Sequence, residues 1–347
     1  MMMYIFPFLW FLLLLLGVKK NATDVKDPFS KEQSSAVRGI AAIEIMLGHI
    51  GIYTNSSALL VFRKSGIFFV GIFFALSGYA NALNLTEKKD YDKKYLPKRF
   101  VHLMVPAYVA FILGLVENSY MARDYHYLLG TFKISVIFDG INWFVWELLL
   151  LYIITYLVYI IGKNNKKNLQ DAFKRNSIFI LIFSIIFVSL AYLVADETWY
   201  GSTLCYYLGM ILYFYKDKFI ELLSRKKFIS YICIAGVGIT FGLAFYFTGE
   251  NSFCGNVICR NILAAAFVVL IFALLLLLKI GNVISSWLGK ISFEIYLFHN
   301  MFLGFIGFFI KEPVILCILV VVSTILFSAI YKSVYDMITK KLLKKFK

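Results

Sequence analysis

Residues 313–331 read PVILCILVVVSTILFSAIY, nineteen positions without a charge, and the sixteen residues that follow carry six lysines. A helix needs about 20 mostly apolar residues to cross the hydrocarbon core of a bilayer. The stretch therefore reads as a transmembrane helix. Toward the N-terminus lie ten further apolar runs: 2–17, 36–54, 66–85, 100–118, 142–161, 177–195, 201–215, 229–248, 260–278 and 288–309. The first and the seventh of the eleven are short. The whole chain of 347 residues is 61% hydrophobic and 16% charged, with mean hydropathy +0.79. A soluble domain is about half apolar and a quarter charged, and a water-exposed fold cannot hide the excess, so lipid must cover it. No block is polar enough for a second, soluble domain. The expected fold is an all-α, polytopic membrane helical bundle.

The charges between the runs set the expected orientation. Of the 35 Lys and Arg residues, six (Arg63, Lys64, Arg123, Lys133, Arg260 and Lys311) fall in or at the edge of the segments after runs two, four, six, eight and ten. The other 29 fall in the alternate segments and the C-terminal tail. Such alternation is the positive-inside pattern. It predicts eleven crossings of the plasma membrane, a cytoplasmic C-terminus and an external N-terminus. It also explains the formal charge of +15 through topology, so no nucleic-acid partner is expected. Run 2–17 has a rival reading as a signal peptide. It lacks a basic leading region and an A-x-A site, so a retained helix is favoured. Cys205, Cys233 and Cys317 sit in apolar runs as small hydrophobes. Cys254 and Cys259 lie in a short polar loop, where an oxidising exterior would allow a disulfide.

An ionisable group at membrane depth is costly and usually marks a functional site. The chain has four His. His49 is deep in run two, His299 is in the middle of run ten, His102 opens run four, and His126 is in an outer loop. Arg38 and His49 are eleven apart on one helix. At 100° per residue they share a face, separated by a rise of about 16 Å. A cation at the cytosolic rim suits a phosphate-bearing ligand. A mid-membrane His suits proton transfer near neutral pH. A snorkelling Arg and a structurally bonded His are the bland alternative. Glu44 points about 140° away from His49 and needs another partner. Run three carries FFALSGY (73–79), with Ser77 and Gly78 small enough for close approach. Lys98, Arg99 and His102 open run four at the same rim as Arg38. Run five begins NWFVWE (142–147), placing Trp143 in an outer aromatic belt and Glu147 slightly deeper. Run ten reads LGKISFEIYLFH (288–299), with Tyr296 one turn before His299, which could face His49.

Taken in order, these segments resemble the acyltransferase-3 family of integral-membrane acyltransferases across nearly all of residues 34–335. The resemblance implies a ten-helix acyltransferase core with run one as an extra N-terminal helix. Residues 1–33 would be that helix and a cytoplasmic linker, 34–335 the acyltransferase domain, and 336–347 a basic cytoplasmic tail. It implies an acyl-CoA donor, usually acetyl-CoA, and an acceptor hydroxyl on a surface glycan or lipid-linked saccharide. No tightly bound cofactor or metal is expected. By position His49 matches the family's essential His, Arg38 its companion Arg, and Arg99 the first Arg of a paired-Arg motif thought to bind the donor. The second Arg of that pair is His102 here. On this reading Arg38, Lys98 and Arg99 hold donor phosphates, and His49 is a general base or transient acyl carrier. Trp143 and Glu147 guide the acceptor, and Ser77, Tyr79, Tyr296 or His299 polarise the thioester carbonyl. A proton-coupled transporter or flippase is the rival class, with Glu44 and His49 as relay groups. It is disfavoured because the chain shows no internal repeat and has only five Pro. A non-catalytic membrane scaffold is a third class, opposed by the Arg38–His49 geometry.

Overall fold

The computed structural model describes residues 2–20, 30–122, 141–163, 169–225, 236 and 253–345. Its helices are α1 (Ile5–Leu15), α2 (Lys31–Thr54), α3 (Leu60–Glu87), α4 (Tyr95–Ala122), α5 (Trp143–Lys163), α6 (Leu169–Asn176) and α7 (Ile178–Val194). They continue with α8 (Leu204–Phe214), α9 (Lys216–Arg225), α10 (Arg260–Leu277), α11 (Val283–Lys290), α12 (Ser292–Phe309) and α13 (Pro313–Lys345). Among the described residues eight helices are long and apolar enough to cross a membrane. Two shorter apolar ones, Met2–Leu15 and Leu204–Phe214, accompany them and correspond to the two short runs. The protein is a polytopic all-α membrane bundle. Run 229–248, with Cys233, lies outside the described residues apart from position 236, as does His126.

Local chemistry sets the helix ends. The Ser30 side chain caps α2 by accepting from the Gln33 N–H at 3.4 Å. Asn55 closes it in the left-handed region at φ 48°, which Asn tolerates better than most residues. Pro97 sits in the first turn of α4, where its missing N–H costs nothing. Where α3 and α8 cross, a Cβ on Gly78 would strike the Tyr206 carbonyl and one on Gly209 the Ala75 carbonyl. Backbone therefore touches backbone, the small-residue contact that membrane helices use in place of a hydrophobic driving force. Tyr206, Phe74, Leu151 and Phe272 are fully buried at the centre. Ile182, Ile186 and Leu190 of α7, and Ile318, Val322 and Leu326 of α13, are exposed as a lipid-facing belt.

The basic connections gather at one end. Lys19–Lys20 and Leu278–Lys279 form a two-stranded antiparallel ladder with Lys19 opposite Lys279. Lys279 bridges to Glu32 at 2.9 Å, Lys216 to Glu87 at 3.7 Å, and Lys163 to Asp92. Arg260 pairs with Glu197 at the opposite end of α10. The N-terminal helix docks on this frame. Trp10 Nε1 donates to the Ile40 carbonyl at 3.3 Å, and Asn282 Nδ2 donates to those of Leu13 and Leu16 at 3.2 and 2.8 Å.

Two expectations are revised, the single helix over run 288–309 and the loop at Cys254–Cys259. Run 288–309 is not one helix: α11 ends at Lys290, Ile291 leaves helical geometry (φ −115°, ψ 13°), and α12 starts at Ser292. Helix α13 runs without a break into the expected tail of residues 336–347, as far as Lys345. The segment Cys254–Cys259 is one turn of π-helix rather than loop.

Candidate active site

A cavity of about 240 Å³ opens inside the basic end of the bundle. Its lining includes Arg38 of α2, Ser77 and Tyr79 of α3, Arg99 of α4, and Ser292 and Phe293 of α12. The break at Ile291 puts the last two there. Backbone that leaves helical geometry at membrane depth is tolerated where it lines a cavity. Arg38 Nε donates to the Ser34 carbonyl at 3.2 Å, which points the fork along α2 into the chamber.

Arg99 is held more elaborately. Its Nη2 donates to Asn81 Oδ1. Its guanidinium lies 5.0 Å from the Tyr152 ring centre and 5.7 Å from that of Tyr95. Asn81 in turn donates from Nδ2 to Tyr206 Oη at 2.7 Å, and Thr155 Oγ1 is 2.8 Å from the same oxygen. Rings and amide dipoles support the cation without cancelling it. Among the described residues no salt bridge joins Arg38 or Arg99. Two guanidinium groups facing one chamber have the chemistry to receive an anion.

The rest of the expected donor group does not join them. Lys98 is exposed, with Nζ 5.9 Å from the Tyr91 ring centre. His102 Nδ1 lies 3.1 Å from Tyr335 Oη on α13, beside Lys332, which pairs with Glu294 at 3.3 Å and Asp336 at 3.4 Å. Neither Lys98 nor His102 lines the cavity.

Further along α2, His49 meets α12. Its Nδ1 is 2.6 Å from His299 Nε2 and 3.0 Å from Asn300 Oδ1. His299 Nδ1 is 3.0 Å from the Ile295 carbonyl oxygen. The two imidazoles face each other at 4.7 Å between centres. Tyr296 separates this pair from the cavity. Its ring lies 6.0 Å from His299, 5.1 Å from Phe144 and 6.4 Å from Phe73, and both phenylalanines line the chamber. The Tyr296 hydroxyl donates to Asn142 Oδ1 at 3.0 Å.

The expected acceptor-side residues lie beyond. Trp143 packs on Phe144 and Trp199 at 6.0 and 6.3 Å. Glu147 is buried and neither carboxylate oxygen has a well-aligned partner. The nearby Thr203 hydroxyl donates to the Trp199 carbonyl at 3.4 Å. Glu44 is buried too and accepts from Ser65 Oγ of α3, a partner off the His49 face.

Sequence reasoning missed Asn81, Tyr152, Tyr206 and Asn300. Asn81 and Asn300 carried a readable signal, since an amide inside an apolar run needs a buried partner. The tyrosines carried none among 23.

The family model for the acyltransferase domain of the acyltransferase-3 type matches residues 33–332. No curated protein and no solved structure matches the chain. That match covers most of the chain and every residue of the arginine chamber and the histidine pair, so the chain belongs to the acyltransferase-3 family of membrane acyltransferases.

Proposed function

We propose that the protein transfers an acyl group, acetyl first among them, from cytosolic acyl-CoA to a hydroxyl of a cell-surface or exported glycan. The observation that carries this reading is the chamber where Arg38 and Arg99 converge, on the same helix that bears His49 three turns further on. The positive-inside charge pattern supports a cytosolic opening for that chamber. At about 240 Å³ it is smaller than the roughly 300–1,000 Å³ of sites that enclose a whole drug-sized ligand. The arginines therefore grip the phosphate-bearing part of the donor while the pantetheine arm extends along α2. The thioester is delivered to His49, and the acceptor hydroxyl reaches it from the external side past Trp143 and Glu147. His299 and Tyr296 have their hydrogens engaged by Ile295 and Asn142. The family match lends the transport reading no support.

The test is transfer of label from acetyl-CoA to surface polysaccharide in membranes containing the protein, followed by mass analysis of that polysaccharide. Label should appear with the wild type and be lost with His49→Ala. Undiminished glycan acetylation in the His49→Ala membranes would sink the proposal.

A further inference from the structure

His49 has two ring nitrogens, and the acyl-transfer reading leaves open which one reacts. The surrounding atoms decide it. The Ile295 carbonyl can only accept, so at 3.0 Å His299 Nδ1 carries a hydrogen and donates it. In a neutral His299 the other nitrogen, Nε2, then bears a lone pair. His49 Nδ1 is 2.6 Å from that lone pair, so His49 Nδ1 carries a hydrogen in turn. The second neighbour of His49 Nδ1 agrees, since Asn300 Oδ1 at 3.0 Å is also an acceptor. The alternative is a doubly protonated His299. That would bury a cation at 1% exposure, and among the described residues no carboxylate is paired with either ring, an arrangement that costs several kcal/mol.

We propose that His299 is a positioning residue that fixes His49 as the Nδ1–H tautomer, leaving His49 Nε2 as the atom that reacts. The inference rests on the acyl-transfer reading and deepens it. The chain Ile295 C=O, His299, His49 has the logic of a catalytic triad, with an imidazole anchored on a backbone carbonyl where a carboxylate would stand. In the transfer step the acceptor hydroxyl gives its proton to His49 Nε2 while its oxygen bonds to the thioester carbonyl carbon. The carbon–sulfur bond then breaks, and the departing thiolate takes the proton back from His49 Nε2. The products are an ester and a free thiol, with His49 neutral again. Throughout, His299 Nε2 accepts from His49 Nδ1 and holds the ring from turning.

Nitrogen-15 magnetic resonance of the full-length protein in membranes tests this, because the two ring nitrogens of a neutral imidazole give separate signals according to which carries hydrogen. With four histidines in the chain, the signals that vanish in His49→Ala belong to His49. In the wild type they should report hydrogen on Nδ1. In His299→Leu they should move toward a tautomer mixture, and turnover at saturating acetyl-CoA should fall roughly 100-fold with little change in donor KM. His299→Gln, whose amide oxygen can accept from His49 Nδ1, should recover much of that loss and keeps the test readable if the leucine variant fails to insert. A wild-type His49 with hydrogen on Nε2, or full turnover in His299→Leu, would overturn the inference. A wild type that transfers no acyl group at all would instead remove the acyl-transfer reading, and the tautomer signal would still decide what His299 does.

Discussion

Arg99 carries its charge among rings. A lysine in its place would keep the charge and lose the fork that reaches Asn81 and sits over the Tyr152 ring. On the proposed reading Arg99→Lys should raise donor KM roughly 10- to 100-fold, about 1.4–3 kcal/mol, with a smaller change in kcat. Substrate-saturation curves of acetyl transfer would show it. Asn81→Leu should act on the fold instead. It strips the partner from Arg99 Nη2 and one partner from the Tyr206 hydroxyl, a loss of about 1–3 kcal/mol that thermal unfolding in detergent would report. The two residues differ in legibility for a physical reason. Arg38, Arg99 and His49 stood out because charge in an apolar run is costly enough to need explaining. Tyr152 is as much a part of the Arg99 site but leaves no mark, since a tyrosine in a membrane helix is unremarked until its neighbours are known. His102 was read with Arg99 because the two are adjacent turns of one sequence motif. Its hydrogen bond to Tyr335 comes from a helix more than two hundred residues away, and no local pattern foretells that.

At the scale of elements, the break between α11 and α12 sets Ser292 and Phe293 into the chamber wall. Periodicity sees apolar residues from 288 to 309 and cannot register a single non-helical residue without Gly or Pro at the break. The cause is tertiary. A Cβ on Gly289 would enter the Ser35 carbonyl, so α11 lies tight along α2 and the chain must turn before α12 can climb beside it. The start of α11 is set by a reciprocal cap, Asn282 Oδ1 accepting from the Ser285 N–H at 2.9 Å and Ser285 Oγ from the Asn282 N–H at 2.8 Å. Asn282→Ala removes that cap and two bonds to α1, and should cost about 1–2 kcal/mol in unfolding stability. Gly209→Val meets backbone instead of open space and should destabilise by several kcal/mol, read as loss of the folded species on size-exclusion chromatography. The short α8 was legible from run length alone, and the crossing that shortness serves was not.

For the whole molecule, alternating charge predicted which segments would share an end, and the bridges Lys279–Glu32, Lys163–Asp92 and Lys216–Glu87 bear out that gathering. On the proposed orientation a tag after Lys347 should be reached by antibody only after the cell is permeabilised. The lipid belt makes a separate demand. Leu326 is 58% exposed on the outer face of α13, and Leu326→Arg should oppose insertion by about 2.5–3.5 kcal/mol, seen as a smaller membrane-integrated fraction. On the proposed reading the protein takes one substrate from each side of the membrane, an outline it shares with a pore, and a pore would discharge the gradients the cell maintains. Phe73 and Phe144 of the chamber wall pack on Tyr296, which packs on His299, so apolar rings stand between the arginines and the histidines. On the proposed reading a slender acyl arm passes these rings to reach the histidines, while their close packing opposes the free passage of hydrated ions.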